Sequence, residues 1–221
     1  MTQPETPENS TTNGKANGKS KKGPMKERSL LFLDLETTGL NPGLHEITEI
    51  GALLVSQPDF KVLETYQSKV MPTHLETASP TALQIGHFKL ETWQREAKPL
   101  ETALAELAKI SRGAILSGFN LTFDWAFLQT AFNQVGMEDP FYYHRFDIMS
   151  AAYTILFERK ELSKYSLNEV CRFFGVTNRA AHTAFADAEA TYEAFLGLMR
   201  YQSNKPSNEK TSTDPQSQPQ A

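Results

Sequence analysis

The chain has 221 residues, 39% of them hydrophobic and 22% charged. That length suits one domain with an ample core, and no run approaches the roughly 18 apolar residues of a membrane span or forms the apolar segment of a secretory signal. The single cysteine, Cys171, excludes an internal disulfide and a thiolate metal cluster, and points to a reducing compartment, the cytoplasm.

Charge is unevenly placed. Six Lys/Arg against three Glu give residues 1–28 a net +3, and residues 203–221 balance at zero. The net −4 of the whole therefore leaves −7 on residues 29–202. A body this acidic argues against broad electrostatic binding of nucleic acid. It is compatible with a nucleic-acid enzyme whose acids hold metal ions.

In chain order, residues 1–28 are polar and basic, nearly free of large apolar residues, and are expected to form a disordered tail. The domain is expected over 29–202, with a second polar tail over 203–221. The first strand centres on Leu30-Leu31-Phe32-Leu33-Asp34-Leu35-Glu36. Four apolar residues in a row predict a buried central strand. Asp34 and Glu36 stand at i and i+2, so they share one face. Thr37-Thr38-Gly39 then breaks the strand. Two anions at a buried strand end repel each other and lose hydration, which calls for a proton or a hard cation.

Residues 49–55 and 61–70 predict two more strands, with Pro58-Asp59 as the turn between them, in an antiparallel meander. Residues 71–98 read as irregular, with a helical piece near 81–85. Pro99 predicts a helix start, and Leu100, Leu104, Leu107 and Ala108 give that helix one apolar face. Residues 114–118 are a short apolar run ending in Gly118, a buried strand. The next helix has Phe123, Phe127, Leu128, Ala131, Phe132 and Val135 at helical spacing and stops at Gly136. Residues 143–146 predict a fifth strand and 147–157 a helix. Ser166-Leu167-Asn168-Glu169 is a capping-box pattern opening a helix that Gly175 ends. The last helix is expected over 183–201. Strands first, then strands alternating with helices, give an α/β fold: a five-stranded mixed β-sheet flanked by helices.

Two further stretches bear chemistry. Asp124 falls in the first turn of its helix, just past a strand end, where ligands bind in open α/β sheets. His182 and Asp187 are five apart, about 140° around one continuous helix. With Thr183 as a cap, His182 lies on the preceding loop and can swing toward Asp187. Ala184, Ala186 and Ala188 keep that helix slim enough to approach the sheet. His45, His74, His87 and His144 have no comparable company.

Three motifs together resemble a known family. Asp34-x-Glu36-Thr37-Thr38-Gly39-Leu40, Asn120-x-x-Phe123-Asp124-x-x-Phe127-Leu128 and His182-x-Ala184-x-x-Asp187-Ala188 are similar to the motifs of DEDD-type 3′–5′ exonucleases, histidine subclass (DEDDh). Proofreading epsilon subunits of bacterial replicative polymerases and RNase T belong to it. Glu49-Ile50-Gly51-Ala52 and Tyr165-Ser166-Leu167 also match. The resemblance spans about residues 29–200 and implies a ribonuclease-H-like fold.

It also implies a metal-dependent exonuclease that cuts phosphodiester bonds from the 3′ end and releases nucleoside 5′-monophosphates. Two Mg²⁺ or Mn²⁺ ions would activate water and stabilise the leaving oxygen. By the resemblance, Asp34 bridges both ions, Glu36 and Asp187 complete one site, and Asp124 supports the other. His182 takes the proton from the attacking water. Thr37, Leu40, Asn120 and Phe123 hold the 3′-terminal nucleotide, with Leu40 as a wedge against a base. Plain core packing is the alternative for Leu40 and Phe123.

The expected partner is a nucleic acid 3′ end, as single-stranded DNA or a frayed duplex, with DNA favoured over RNA. A polymerase or repair partner could dock through the tails, and no membrane is involved. Three other readings compete: an RNA-trimming exoribonuclease, a haloacid-dehalogenase-type phosphatase, whose first strand also ends in paired acids, and a non-catalytic interaction module.

Overall fold

The computed structural model describes residues 23–177 and 182–204. Most of the two expected tails, residues 1–22 and 205–221, therefore lies outside the described residues. Residues 23–28 do not behave as a tail. Met25–Glu27 form a single 3₁₀ turn, and the Arg28 guanidinium sits 3.9 Å over the Tyr142 ring and donates to Gly113 O. A stacked, hydrogen-bonded arginine anchors this segment where composition alone suggested freedom.

Five strands form one sheet: β1 (Leu30–Thr37), β2 (Ile47–Val55), β3 (Val62–Lys69), β4 (Ile115–Gly118) and β5 (Arg145–Asp147), in the order β3-β2-β1-β4-β5. β1 to β3 are an antiparallel meander, while β4 and β5 run parallel to β1. The sheet is thus mixed, with β1 at its centre. β5 starts two residues later than expected, because Tyr142 to His144 form an aromatic cluster instead.

A 3₁₀ turn at Leu75–Thr77 and seven α-helices complete the elements among the described residues: α1 (Pro80–Ile85), α2 (Leu90–Glu96), α3 (Leu100–Ser111), α4 (Leu121–Gln134), α5 (Ile148–Leu156), α6 (Leu167–Phe174) and α7 (Ala184–Ser203). Sequence periodicity misses α2, because Trp93 is its one buried residue. The Trp93 indole N–H donates to Thr48 O at 3.0 Å, which pins α2 to β2. Ser166 caps α6, its hydroxyl accepting from Glu169 N, so half of the expected capping box forms. The Glu169 carboxylate turns instead to Ser163 and Lys164.

β1 divides the molecule in two. Leu31, Leu33 and Leu35 pack with residues of α3 and α4 on one face. Leu30 and Phe32 pack with α5, α6 and α7 on the other. Period-two alternation in a strand buried on both sides makes both runs apolar. Each fully buried leucine or phenylalanine here contributes about 1.5–3 kcal/mol. The even face changes character along the strand: Phe32 is fully buried, then Asp34 and Glu36 follow it, half-buried. No described helix is long and apolar enough to cross a membrane.

Candidate active site

The parallel ladder between β1 and β4 stops at Phe32↔Ser117, whereas β1 stays paired with β2 up to Thr37↔Ile47. Beyond Phe32 the sheet splits on the β4 side, and backbone groups of β1 face the gap. Such a split, at the carboxyl ends of parallel strands, is where α/β sheets bind ligands.

Asp124 fills the split. It is 3% exposed, and its Oδ1 accepts from the Leu35 N–H at 3.0 Å. A helix-borne carboxylate is thus tied to the strand backbone between Asp34 and Glu36. Asp187 arrives from the opposite face, in the first turn of α7, and its Oδ2 accepts from the His182 N–H at 3.2 Å. The close approach of α7 has a specific cause. Gly51 on β2 pairs with Asp34, and a Cβ at Gly51 would lie 2.2 Å from backbone atoms of Ala184 and Phe185. Only a residue without a side chain admits the start of α7 at this point.

Asp34, Glu36 and Asp187 each offer a carboxylate oxygen within 4.8 Å of the others. Asp124 stands outside this trio, tied to Leu35. Burial raises the Asp34 carboxyl well above its usual range, and the charges of Asp124, Asp187 and Glu36 raise it further. Burial, with Asp187 and Glu49 nearby, pushes Glu36 up to about 7. Burial also pushes Asp124 up to about 8, against the lowering effect of the Leu35 N–H. A cluster this costly to ionise has the donor set of a hard divalent cation: oxygen ligands, convergent and acidic. Asp34, Glu36 and Asp187 fit such an ion directly.

The remaining expected site residues lie in the turn after β1 and at the starts of α4 and α7. Thr37 is buried, and its hydroxyl donates to Gly39 O at 2.7 Å, closing the turn after β1. Leu40 is 82% exposed, so core packing does not account for it. Phe123 is half-buried, with its ring 5.0 Å from that of Phe127; it combines core packing with an exposed edge. Asn120 is exposed and takes φ 59°, and His182 is exposed with φ 69°. Both occupy left-handed backbone that few non-glycine residues adopt. Each immediately precedes the start of a helix that carries one of the acids, His182 at one residue's remove.

Three contributors escape the sequence reading. His45, given no role, packs its ring against Gly39, where a Cβ would come within 2.5 Å of it. Its Nδ1 accepts from Asn41 N at 2.9 Å, so it braces the loop that presents Leu40. Glu49 and Asp147 touch the starts of the two acid-bearing helices. An Asp-x-x-Ser helix-start pattern at Asp147 is the one local signal among them.

A model of the exonuclease family, RNase_T, matches residues 31–195, and the chain belongs to that family. Among curated relatives, it is 26% identical over 174 residues to the PolC-type DNA polymerase III of Caldanaerobacter subterraneus subsp. tengcongensis. It is 28% identical over 171 residues to that of Thermotoga petrophila. These matches cover 78% and 76% of this chain, which spans 12% of the length of either relative. Among solved structures, E. coli exonuclease I in complex with a dT13 oligonucleotide matches with a TM-score of 0.68 at 21% identity. That match covers 78% of this chain and 41% of the other. A zinc-bound exonuclease I–ssDNA complex matches at 0.69 and 19% identity, covering 81% and 42%. These likenesses establish the fold.

Proposed function

We propose that the chain is a metal-dependent 3′–5′ exonuclease that shortens DNA from its 3′ end and releases nucleoside 5′-monophosphates, in a cytoplasmic proofreading or repair role. The observation that carries this reading is the convergence of Asp34, Glu36 and Asp187 within 4.8 Å, beside a buried Asp124, in a member of the exonuclease family. Family membership also sets the phosphatase alternative aside.

Asp34, Glu36 and Asp187 would hold one divalent cation, and Asp34 with Asp124 would support a second. Bound there, Mg²⁺ or Mn²⁺ supplies a polarised water and neutralises charge on the leaving oxygen. The protein's own residues do the rest. Burial of Asp124 in the split keeps bulk water from it, which strengthens its charge interactions with the half-buried trio. What supports a role for His182 is its exposed position before α7 and the bond from its backbone N–H to Asp187. Its imidazole would take the proton of the attacking water at a ring nitrogen. Leu40, exposed on its braced loop, offers an apolar surface to the terminal base. Phe123 and Asn120 bound the sugar side from the start of α4.

The DNA preference is supported by the PolC-type polymerases and the exonuclease I–oligonucleotide complexes among the relatives. A time course on 5′-labelled single-stranded DNA and its RNA counterpart tests the reading. The expected result is a ladder shrinking from the 3′ end, faster on DNA and abolished by EDTA. Faster trimming of RNA would make it an exoribonuclease, and no product from either would leave an interaction module.

A further inference from the structure

Two carboxylates lie beside the acidic trio without belonging to it. Asp147 ends β5 and pairs with Gly118 of β4. Its Oδ1 accepts from Leu121 N, the first N–H of α4, at 3.0 Å. Its Oδ2 accepts from Ser150 N at 2.9 Å and from the Ser150 hydroxyl. Glu49 lies on β2 directly across from Glu36. Its Oε2 accepts from Ala184 N, the first N–H of α7, at 3.4 Å, and Lys69 Nζ stands 3.5 Å from its Oε1.

The two contacts follow one pattern. Helix starts carry N–H groups with no partner inside the helix, normally satisfied by the side chain just before them. Asn120, in that position before α4, makes no side-chain capping bond; the carboxylate comes instead from 26 residues downstream. For α7 the carboxylate comes from 135 residues upstream. In both helices the gripped N–H precedes the site acid by three residues: Leu121 before Asp124, Ala184 before Asp187. Three residues is nearly one turn, so the grip and the acid lie on neighbouring parts of one helix face. Both grips come from strands of the same sheet that carries Asp34 and Glu36.

We propose that Asp147 and Glu49 are positioning residues: each strand carboxylate holds the first N–H of an acid-bearing helix and so sets where Asp124 and Asp187 stand against β1. They act as hydrogen-bond acceptors, not as metal ligands. The proposal rests on the reading of these acids as one site. A misplacement of about 1 Å at such a site costs roughly 10² in rate.

The test uses the full chain with Glu49→Ala, Glu49→Gln, Asp147→Ala and Asp147→Asn. The first readout is amide hydrogen exchange in metal-free protein, which needs no turnover. Glu49→Ala should speed exchange at Ala184 about tenfold and leave Leu121 unchanged, and Asp147→Ala should do the reverse. The second readout is kinetics on 5′-labelled single-stranded DNA. Each alanine variant should lose about 10–100-fold in kcat with KM within about twofold. Glu49→Gln and Asp147→Asn, which keep an acceptor oxygen, should return kcat to within about fivefold of the parent; they also keep the test open if an alanine variant folds poorly. Alanine variants with parental exchange would overturn the proposal, as would amide variants as damaged as the alanine ones. If the parent hydrolyses no nucleic acid, the functional reading fails, while the exchange data still decide whether the grips exist.

Discussion

Asp124 and Asp187 reach the end of β1 from opposite faces of the sheet, and the protein secures them by different means. Asp124 is locked: it is 3% exposed and bonded to the Leu35 N–H that the β1–β4 split leaves open. Asp187 is half-buried, and its place depends on how far α7 can descend onto β2 at Gly51. A carboxylate bonded to a strand's backbone moves only with the sheet. One delivered by the end of a packed helix moves with any change in that packing. The locked side defines the site, and the packed side completes it.

The largest expected effect breaks both sides at once. Asp34 lies between them, and Asp34→Ala should leave less than about 10⁻⁴ of parental turnover, the scale seen when one member of an interdependent catalytic group is removed. Single-turnover cleavage of labelled DNA checks it. His182→Ala touches only the α7 side and should cost on the order of 10²–10⁴, the usual worth of a general base. Single-turnover rates on the same labelled DNA check it.

Gly51→Ala sharpens the comparison further. A methyl 2.2 Å from the α7 backbone must push the helix away, at about 1–3 kcal/mol in stability and roughly 10² in rate. Thermal melting and kcat measured together separate the two. An unchanged kcat would show that Asp187 does not depend on this contact.

The smallest effect concerns protons. In the metal-free protein Glu36 is pushed up to about 7 and Asp124 to about 8, while unfolded carboxylates titrate near 4. Between about pH 4 and 8 the folded state therefore binds more protons than the unfolded one, and stability falls as pH rises. Saturating Mn²⁺ should remove that fall, because it takes the protons' place on ionised oxygens. Melting temperatures at pH 5 and 8, with and without Mn²⁺, test the sign.

The sequence makes the centre of this arrangement legible and its supports obscure. Asp34 and Glu36 reveal themselves through period-two alternation, and Leu31, Phe32 and Leu33 through an unbroken apolar run. Both are signals between near neighbours. The α4 face at Phe127, Leu128, Ala131 and Phe132 is read the same way, and all four are buried. Asp147 shows locally only as the cap of α5, and the grips of Glu49 and Asp147 on α7 and α4 are not legible, since those partners lie 135 and 26 residues away. Gly51 looks like any strand glycine until α7 rests on it. α2 hides because a single tryptophan holds it. Residues 23–28 look solvated because the Arg28 anchor, Tyr142, is remote in the chain.

Calorimetric titration of Mn²⁺ into the full chain and into Asp34→Ala bears most directly on the claim that acids from β1, α4 and α7 together hold divalent cations. The parent should bind Mn²⁺ with release of protons at pH 7, and Asp34→Ala should bind it at least about tenfold more weakly. Equal binding by the two proteins, or none by the parent, would contradict the account.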